Sequence, residues 1–285
     1  MTGRPRGAKE FQRLLQRHAA EIGQLPQRVM HLVRVGVVCA MLDEVRHPDG
    51  GHLFIIKGGT AMQLRLGIRA RATTDLDVVF AGYVGEWLSR FDEATADRAW
   101  NGFTIARKAA PTQIEVTTTG YRPWRVPLQL RYEGREFGSI ALEVAIDDTA
   151  VGHQDLIEPD GIALAAFEID PPRLVPCLDV PHQIAQKLHA CTEVFSDRDN
   201  DRFRDLIDLQ LLADIVEDHE WNSVKAACTE VFAARGKHPW PPMVTVFDTW
   251  PPAYRALAGE TGFAVLDVAE AAAAVAALIE LIDRS

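Results

Sequence analysis

The chain has 285 residues, 47% hydrophobic and 25% charged, which is ordinary for a soluble globular protein and long enough for one large domain or two closely packed lobes. Its formal charge of −10 excludes a generally basic nucleic-acid-binding surface. The four cysteines (Cys39, Cys177, Cys191, Cys228) show no metal-ligand spacing and read as reduced core residues of a cytoplasmic protein. Met1–Glu10 is polar and basic with no apolar stretch behind it, so no secretory segment is expected. Val29–Leu42 is interrupted by His31 and Arg34, and Ala271–Ile282 is too short to span a bilayer. Both read as buried helices, and no membrane partner is expected.

In chain order, residues 8–22 and 27–46 read as two helices broken near Gly23 and Pro26. Val29, Leu32, Val33, Val37 and Met41 recur at helical spacing, which predicts packing on a sheet. Phe54-Ile55-Ile56 follows as an apolar run suited to a strand buried on both faces. Gly58 and Gly59 break it, and Thr60 is expected to cap a helix carrying Met62, Leu64 and Leu66. Glycines at a helix N-terminus expose backbone N–H groups to an anion, and the helix dipole adds partial positive charge. Thr74–Phe80 reads as a second strand. Asp75 and Asp77 leave it on one face and Leu76 on the other. Two such carboxylates repel unless a cation lies between them. Each half alone also fits a plain tight turn or a solvated strand end; in this order the two suit a metal-bound nucleoside triphosphate.

Further on, 85–100 reads as helix, and 103–107 and 114–118 as strands. Val126–Tyr132 and Gly138–Ile146 read as a hairpin turning at Glu133-Gly134-Arg135. In its second arm Ile140, Leu142, Val144 and Ile146 share a face. Glu143 stands on the other between Ala141 and Ala145, either at a site or facing water. Four prolines in Pro171–Pro181 suggest a boundary, with a domain at 1–170 and a mostly helical one at 171–285. Pro181 opens a helix with Ile184, Leu188 and Cys191 as its apolar stripe and Lys187 beside it. In the helix expected over 200–216, Asp205 and Asp208 share a face while Leu206, Leu209 and Leu212 pack inward. The aspartates either cap and salt-bridge a neighbour or serve a site. Stretches 223–234, 252–258 and 268–283 complete a helical bundle.

Lys57-Gly58-Gly59-Thr60, followed by Arg71-Ala72-Thr73-Thr74-Asp75-Leu76-Asp77, resembles the Gly-Gly-Ser/Thr and Asp-x-Asp signature of the nucleotidyltransferase fold. Its wording looks most like the AbiEii branch, the nucleotidyltransferase toxins of abortive-infection toxin–antitoxin systems, which include MenT-like enzymes. Arg204-Asp205-Leu206-Ile207-Asp208-Leu209 resembles that family's second motif.

The resemblance implies an α/β (α+β) fold: a polymerase-beta-like mixed-sheet core and a helical C-terminal lobe. It also implies Mg²⁺ on Asp75 and Asp77, with Glu143 as third ligand or proton acceptor. The nucleoside triphosphate would lie on Lys57, Gly58, Gly59 and Thr60, with Thr73 or Thr74 nearby, Thr73 favoured. Lys187 would face the phosphates, helped by Asp208 and Asp205, across a cleft from Gly58 and Asp75. The implied acceptor is RNA, first of all the tRNA 3′ end, and the implied partner is a cognate antitoxin.

Charge placement bears on the acceptor. Residues 1–40 carry Arg4, Arg6, Lys9, Arg13, Arg17, Arg28 and Arg34 against Glu10 and Glu21. Arg65, Arg69 and Arg71 lie in the signature, and Arg122, Arg125, Arg131 and Arg135 lie on the strand pair leading to Glu143. They would form a local phosphate-binding strip or a set of solvated faces. An antibiotic-modifying nucleotidyltransferase stays open, since the acidic run Glu193–Glu220 could build a small-molecule pocket. So does a non-catalytic nucleotide-binding relative, although the intact signature counts against decay.

Overall fold

A computed structural model describes residues 4–114, 123–146, 152–159 and 164–285. The described residues fall into two compact units, the first holding the chain up to 177 apart from 69–71, the second holding 69–71 and 178–285.

The first unit is a mixed sheet with helices. Its helices are α1 (Ala8–Glu21), α2 (Pro26–Leu42), α3 (Gly58–Leu66) and α4 (Trp87–Thr95). Its strands are β1 (Phe54–Ile56), β2 (Asp75–Phe80), β3 (Phe103–Arg107), β4 (Thr112–Gln113), β5 (Trp124–Tyr132), β6 (Arg135–Ala145), β7 (Gln154–Ile157) and β8 (Val175–Leu178). The spatial order is β3-β5-β6-β2-β1-β8-β7, with β4 on β5. β2 is therefore interior, antiparallel to β1 and parallel to β6.

β2 follows its alternation: Leu76 and Val78 are fully buried, while Asp75 and Asp77 turn to the other face and remain partly open. β6 does the same, with Ile140, Leu142 and Val144 buried and Ala141 and Glu143 on the opposite side. The β5–β6 hairpin turns through Glu133 and Gly134, both at positive φ (47° and 71°), the mirror-image turn whose twist matches that of paired strands. One residue of β6 is extra. Leu130 pairs with Gly138 and Arg131 with Glu136, so Phe137 has no partner and forms a bulge.

Phe137 goes into the core instead. Its ring, with Phe103, Tyr132 and Phe167, surrounds Phe11 of α1 at centroid distances of 5.1–5.9 Å. The Tyr132 hydroxyl donates to the Pro5 carbonyl at 2.8 Å. Val29, Leu32, Val33, Val37 and Met41 of α2 are buried, as their spacing predicts. Arg34 interrupts that run because its guanidinium lies over Gly138, where a Cβ would collide with it.

Several elements differ from expectation. α2 ends at Leu42, and α4 covers only Trp87–Thr95 after a 3₁₀ turn at Val84–Glu86. The proline-rich stretch contains β8, buried throughout; Pro176 is tolerated in this short strand, whose Cys177 pairs with Ile56. The strand expected at 114–118 lies almost wholly outside the described residues, next to the short β4.

The second unit is helical: α5 (Val180–Thr192), α6 (Asp205–Ala213), α7 (Trp221–Arg235), α8 (Trp250–Thr261) and α9 (Val268–Arg284). Asp179 caps α5 by accepting from the His182 N–H at 2.8 Å, and Asp267 caps α9 through Ala269 and Glu270. α6 is buried nearly all round, and Leu206, Leu209 and Leu212 are fully enclosed. All four cysteines of the chain are free and buried. Among the described residues no helix is long and apolar enough to cross a membrane.

Phe11 touches four aromatic rings and is wholly enclosed, so Phe11→Ala should destabilise the protein by about 3–5 kcal/mol and Phe11→Leu by much less. Urea denaturation followed by circular dichroism checks this, and equal costs for the two would contradict the packing described.

Candidate active site

The sheet register assembles an acidic face in the first unit. Asp77 pairs with Glu143 across β2 and β6, and Asp75 pairs with Ala141. Paired residues share a sheet face, so Asp75, Asp77 and Glu143 stand together beyond two alanine-sized neighbours. Glu143 is raised above the usual carboxylate range, first by burial and then by the charges of Asp77 and Asp75. Arg125, opposite Glu143 on β5, donates from Nη2 to Asp75 Oδ1 at 3.0 Å and lies 3.7 Å from Glu143 Oε1.

The glycine turn is built against this face. The Lys57 N–H donates to the Asp77 carbonyl at 2.9 Å. Gly58 has φ +61°, and a Cβ there would collide with Asp77 Oδ2. α3 starts at Gly58, earlier than expected, so Thr60 is not its cap. Thr60 lies inside the first turn, fully buried, and its hydroxyl donates to the Asp75 carbonyl at 2.9 Å. The backbone N–H groups of Gly58, Gly59 and Thr60 have no hydrogen-bond partner among the described residues, as first-turn groups lack helical acceptors. Thr73 and Thr74 precede β2, Thr73 half-buried and Thr74 exposed.

Two neighbours were not expected at this face from sequence. From sequence Arg125 reads as part of a phosphate-binding strip, not as a partner of the carboxylates. His31 of α2 is buried near enough to Asp75 to feel its charge. Burial and Arg34 nevertheless push its pKa down to about 4, so its ring is neutral at pH 7. The break His31 makes in the apolar run of α2 was the available signal.

The second unit holds a buried ion cluster. Lys187 Nζ of α5 donates to Asp205 Oδ1 at 2.8 Å and to Asp208 Oδ2 at 2.6 Å, both on α6. Arg71 adds its guanidinium to Asp208 Oδ2 at 3.2 Å. Burial alone would lower the pKa of Lys187, but Asp205 and Asp208 outweigh it and hold that pKa above the ordinary value. Burial likewise works to raise Asp205, and Lys187 and Arg202 override it, leaving Asp205 below the usual range. Asp208 Oδ1 is buried with no hydrogen-bond partner among the described residues.

The arginines divide by use. Arg65 pairs with Asp155 at 3.0 Å and Arg71 with Asp208, both largely buried. Arg69 and Arg131 are exposed, and Arg131 points from β5 to the same side as Arg125. Arg122 lies outside the described residues.

The family model described as "Nucleotidyl transferase AbiEii toxin, Type IV TA system" matches residues 40–277. The chain belongs to the AbiEii nucleotidyltransferase toxin family. The AbiEii match spans both units and establishes a nucleotidyltransferase of a toxin–antitoxin family, a class that uses a nucleoside triphosphate, generally with a divalent metal, alongside an antitoxin. No curated protein matches the chain in sequence.

The fold is similar to that of MenT4, a nucleotidyltransferase toxin from Mycobacterium tuberculosis H37Rv. The TM-score is 0.53 at 20% identity, over 78% of this chain and 70% of that one. JHP933 from Helicobacter pylori aligns at a TM-score of 0.46 and 19% identity, over 90% of this chain and 92% of that one. ANT(2″)-Ia in complex with adenylyl-2″-tobramycin aligns at a TM-score of 0.38 and 15% identity, over 71% of this chain and 97% of that one.

Removing Lys187 leaves two buried aspartates short of positive charge, so Lys187→Met should destabilise the protein by about 3–5 kcal/mol, with part recovered by adding Asp205→Asn. Asp205 is depressed and Lys187 raised. The cluster's stabilisation is therefore full at neutral pH, lost as pH falls below about 4, and lost again as it rises above about 10. Thermal melts across pH check this; a wild-type transition between pH 5 and 9 that disappears in Lys187→Met would contradict it.

Proposed function

We propose that this AbiEii-family enzyme is a metal-dependent toxin that transfers a nucleoside monophosphate from a nucleoside triphosphate to an RNA acceptor, first of all the tRNA 3′ end, and is restrained by a cognate antitoxin protein. The observation that carries the chemistry is the placing of Asp75, Asp77 and Glu143 on one partly open sheet face, with the glycine turn at Gly58 packed against Asp77. These residues fit a divalent cation: three carboxylate donors share a face, and a guanidinium, itself a cation, already rests on two of them. Asp75 and Asp77 would hold Mg²⁺, with Glu143 as third ligand or as proton acceptor, and the ion when bound offsets charge on the transferring phosphate and on the entering and leaving oxygens.

The chain's own residues do the rest in this proposal. The N–H groups of Gly58, Gly59 and Thr60 receive phosphate oxygens at the start of α3, with Lys57 and Thr73 beside them. The acceptor hydroxyl oxygen bonds to the α-phosphorus as the bond from that phosphorus to the β-phosphate oxygen breaks, and pyrophosphate leaves. The hydroxyl proton passes to Glu143 where Glu143 is not a metal ligand, and to solvent water where it is. Lys187, Asp205 and Asp208 are proposed as further nucleotide-binding residues on the strength of their AbiEii motif.

For the acceptor, the support is the AbiEii family together with exposed Arg69 and Arg131, since Arg65 and Arg71 have carboxylate partners within the protein.

Purified protein incubated with each α-labelled nucleoside triphosphate and total RNA should label RNA, weakening steeply with salt. Asp75→Asn or Asp77→Asn should fold normally and lose roughly a thousand-fold or more of the transfer rate. Charge reversal at Arg69 or Arg131 should reduce RNA labelling while leaving nucleotide binding nearly intact. Label found only in a small molecule, with RNA untouched at low salt, would replace the acceptor assignment by an antibiotic-modifying type of activity.

A further inference from the structure

Arg125 occupies an unusual position for an arginine on an open sheet face. Its backbone stands opposite Glu143, its Nη2 donates to Asp75 Oδ1 at 3.0 Å, and its Nε lies 3.7 Å from Glu143 Oε1. Its side chain is 47% exposed, so it is held by these charges and not by packing. The β6 bulge is what puts it there. Phe137 has no partner on β5, and that extra residue shifts the ladder by one so that Arg125 faces Glu143 instead of Leu142.

A guanidinium donating to Asp75 Oδ1 and a divalent cation bound to the same oxygen exclude one another, by charge and by volume. When a metal takes the carboxylates, Arg125 must turn away, but its stem stays fixed on β5 beside Glu143. The anion that a metal-bound triphosphate brings within reach of that stem is phosphate, whose oxygens suit the planar fork of arginine. We propose that Arg125 is a phosphate-binding residue of the nucleotide site, resting on Asp75 and Glu143 until a metal claims them and then moving to the triphosphate. The inference rests on the nucleotidyl-transfer reading and adds to it a residue that changes partners during substrate binding.

This exchange predicts effects of opposite sign from one substitution. Mn²⁺ alone, titrated into the protein and followed by electron paramagnetic resonance, should bind Arg125→Gln about threefold more tightly than wild type, the scale of losing a half-exposed competing ion pair. Mn²⁺ with inorganic tripolyphosphate, a base-independent probe measured by calorimetry, should bind the same variant about tenfold more weakly, the scale of a lost charge-assisted hydrogen bond. Arg125→Lys keeps a cation on the strand and should match wild type with Mn²⁺ alone while falling between the two with tripolyphosphate.

Shifts in the same direction for both probes, or no shift in either while wild type binds normally, would overturn the inference and leave the transfer reading standing. Failure of wild type to bind Mn²⁺ at all would overturn both. Circular dichroism shows that a variant is folded; should Arg125→Gln fail that test, the tripolyphosphate shift of Arg125→Lys decides.

Discussion

Like charge brought together on one sheet face is the constraint around which the first unit is built. Asp75, Asp77 and Glu143 come from neighbouring strands in parallel register, and that register cannot slip without turning Leu76 and Leu142 out of the core. The apolar face therefore enforces the acidic one. Gly58 completes the arrangement from the other side, because only a residue without a side chain fits against the Asp77 carboxylate at φ +61°. Arg125 supplies positive charge against that repulsion, and Glu143, raised first by burial and then by the charges of Asp77 and Asp75, is the acid that favours a proton.

The second unit handles buried charge in the opposite way. Asp205 and Asp208 sit deep in a helical core, where an isolated carboxylate would be very costly, and Lys187 and Arg71 bring two positive charges to meet their two negative ones. Helix spacing places both aspartates on one side of α6, and the leucines on either side of them close the core. Arg202 adds a third cation 3.8 Å from Asp205 Oδ2, and two carboxylate oxygens of the cluster, Asp205 Oδ2 and Asp208 Oδ1, have no hydrogen bond among the described residues.

Much of this was legible because it depends on short-range pattern. Alternation in Asp75–Phe80 and Gly138–Ile146 told which side each acid would take, and Glu133-Gly134-Arg135 told to within one residue where the hairpin would turn. What escaped was set by tertiary register. The turn expected at Glu133-Gly134-Arg135 is only Glu133-Gly134, with Arg135 paired to Tyr132, and the bulge at Phe137 then sets Arg125 opposite Glu143. Nothing local to Phe137 says that an aromatic cluster around Phe11 will take it out of the ladder. Thr60 looked like a helix cap because caps are local, but the glycines were already helical and its hydroxyl was taken by the Asp75 carbonyl. Arg65 and Arg71 looked like surface cations, and only the folded chain brings Asp155 and Asp208 to them. That Asp208 would hold Lys187 was implied by the family resemblance, whereas spacing on one helix does not reveal the pair.

The central claim is that the acidic face directs transfer of the α-phosphoryl group of a nucleoside triphosphate. Paired incubations with α-labelled and γ-labelled nucleoside triphosphates test it most directly. The account predicts that the α-label passes to the acceptor while the γ-label is recovered as pyrophosphate, and that both outcomes disappear in Asp77→Asn. Transfer of the γ-label to the acceptor, or undiminished α-label transfer by Asp77→Asn, would contradict it.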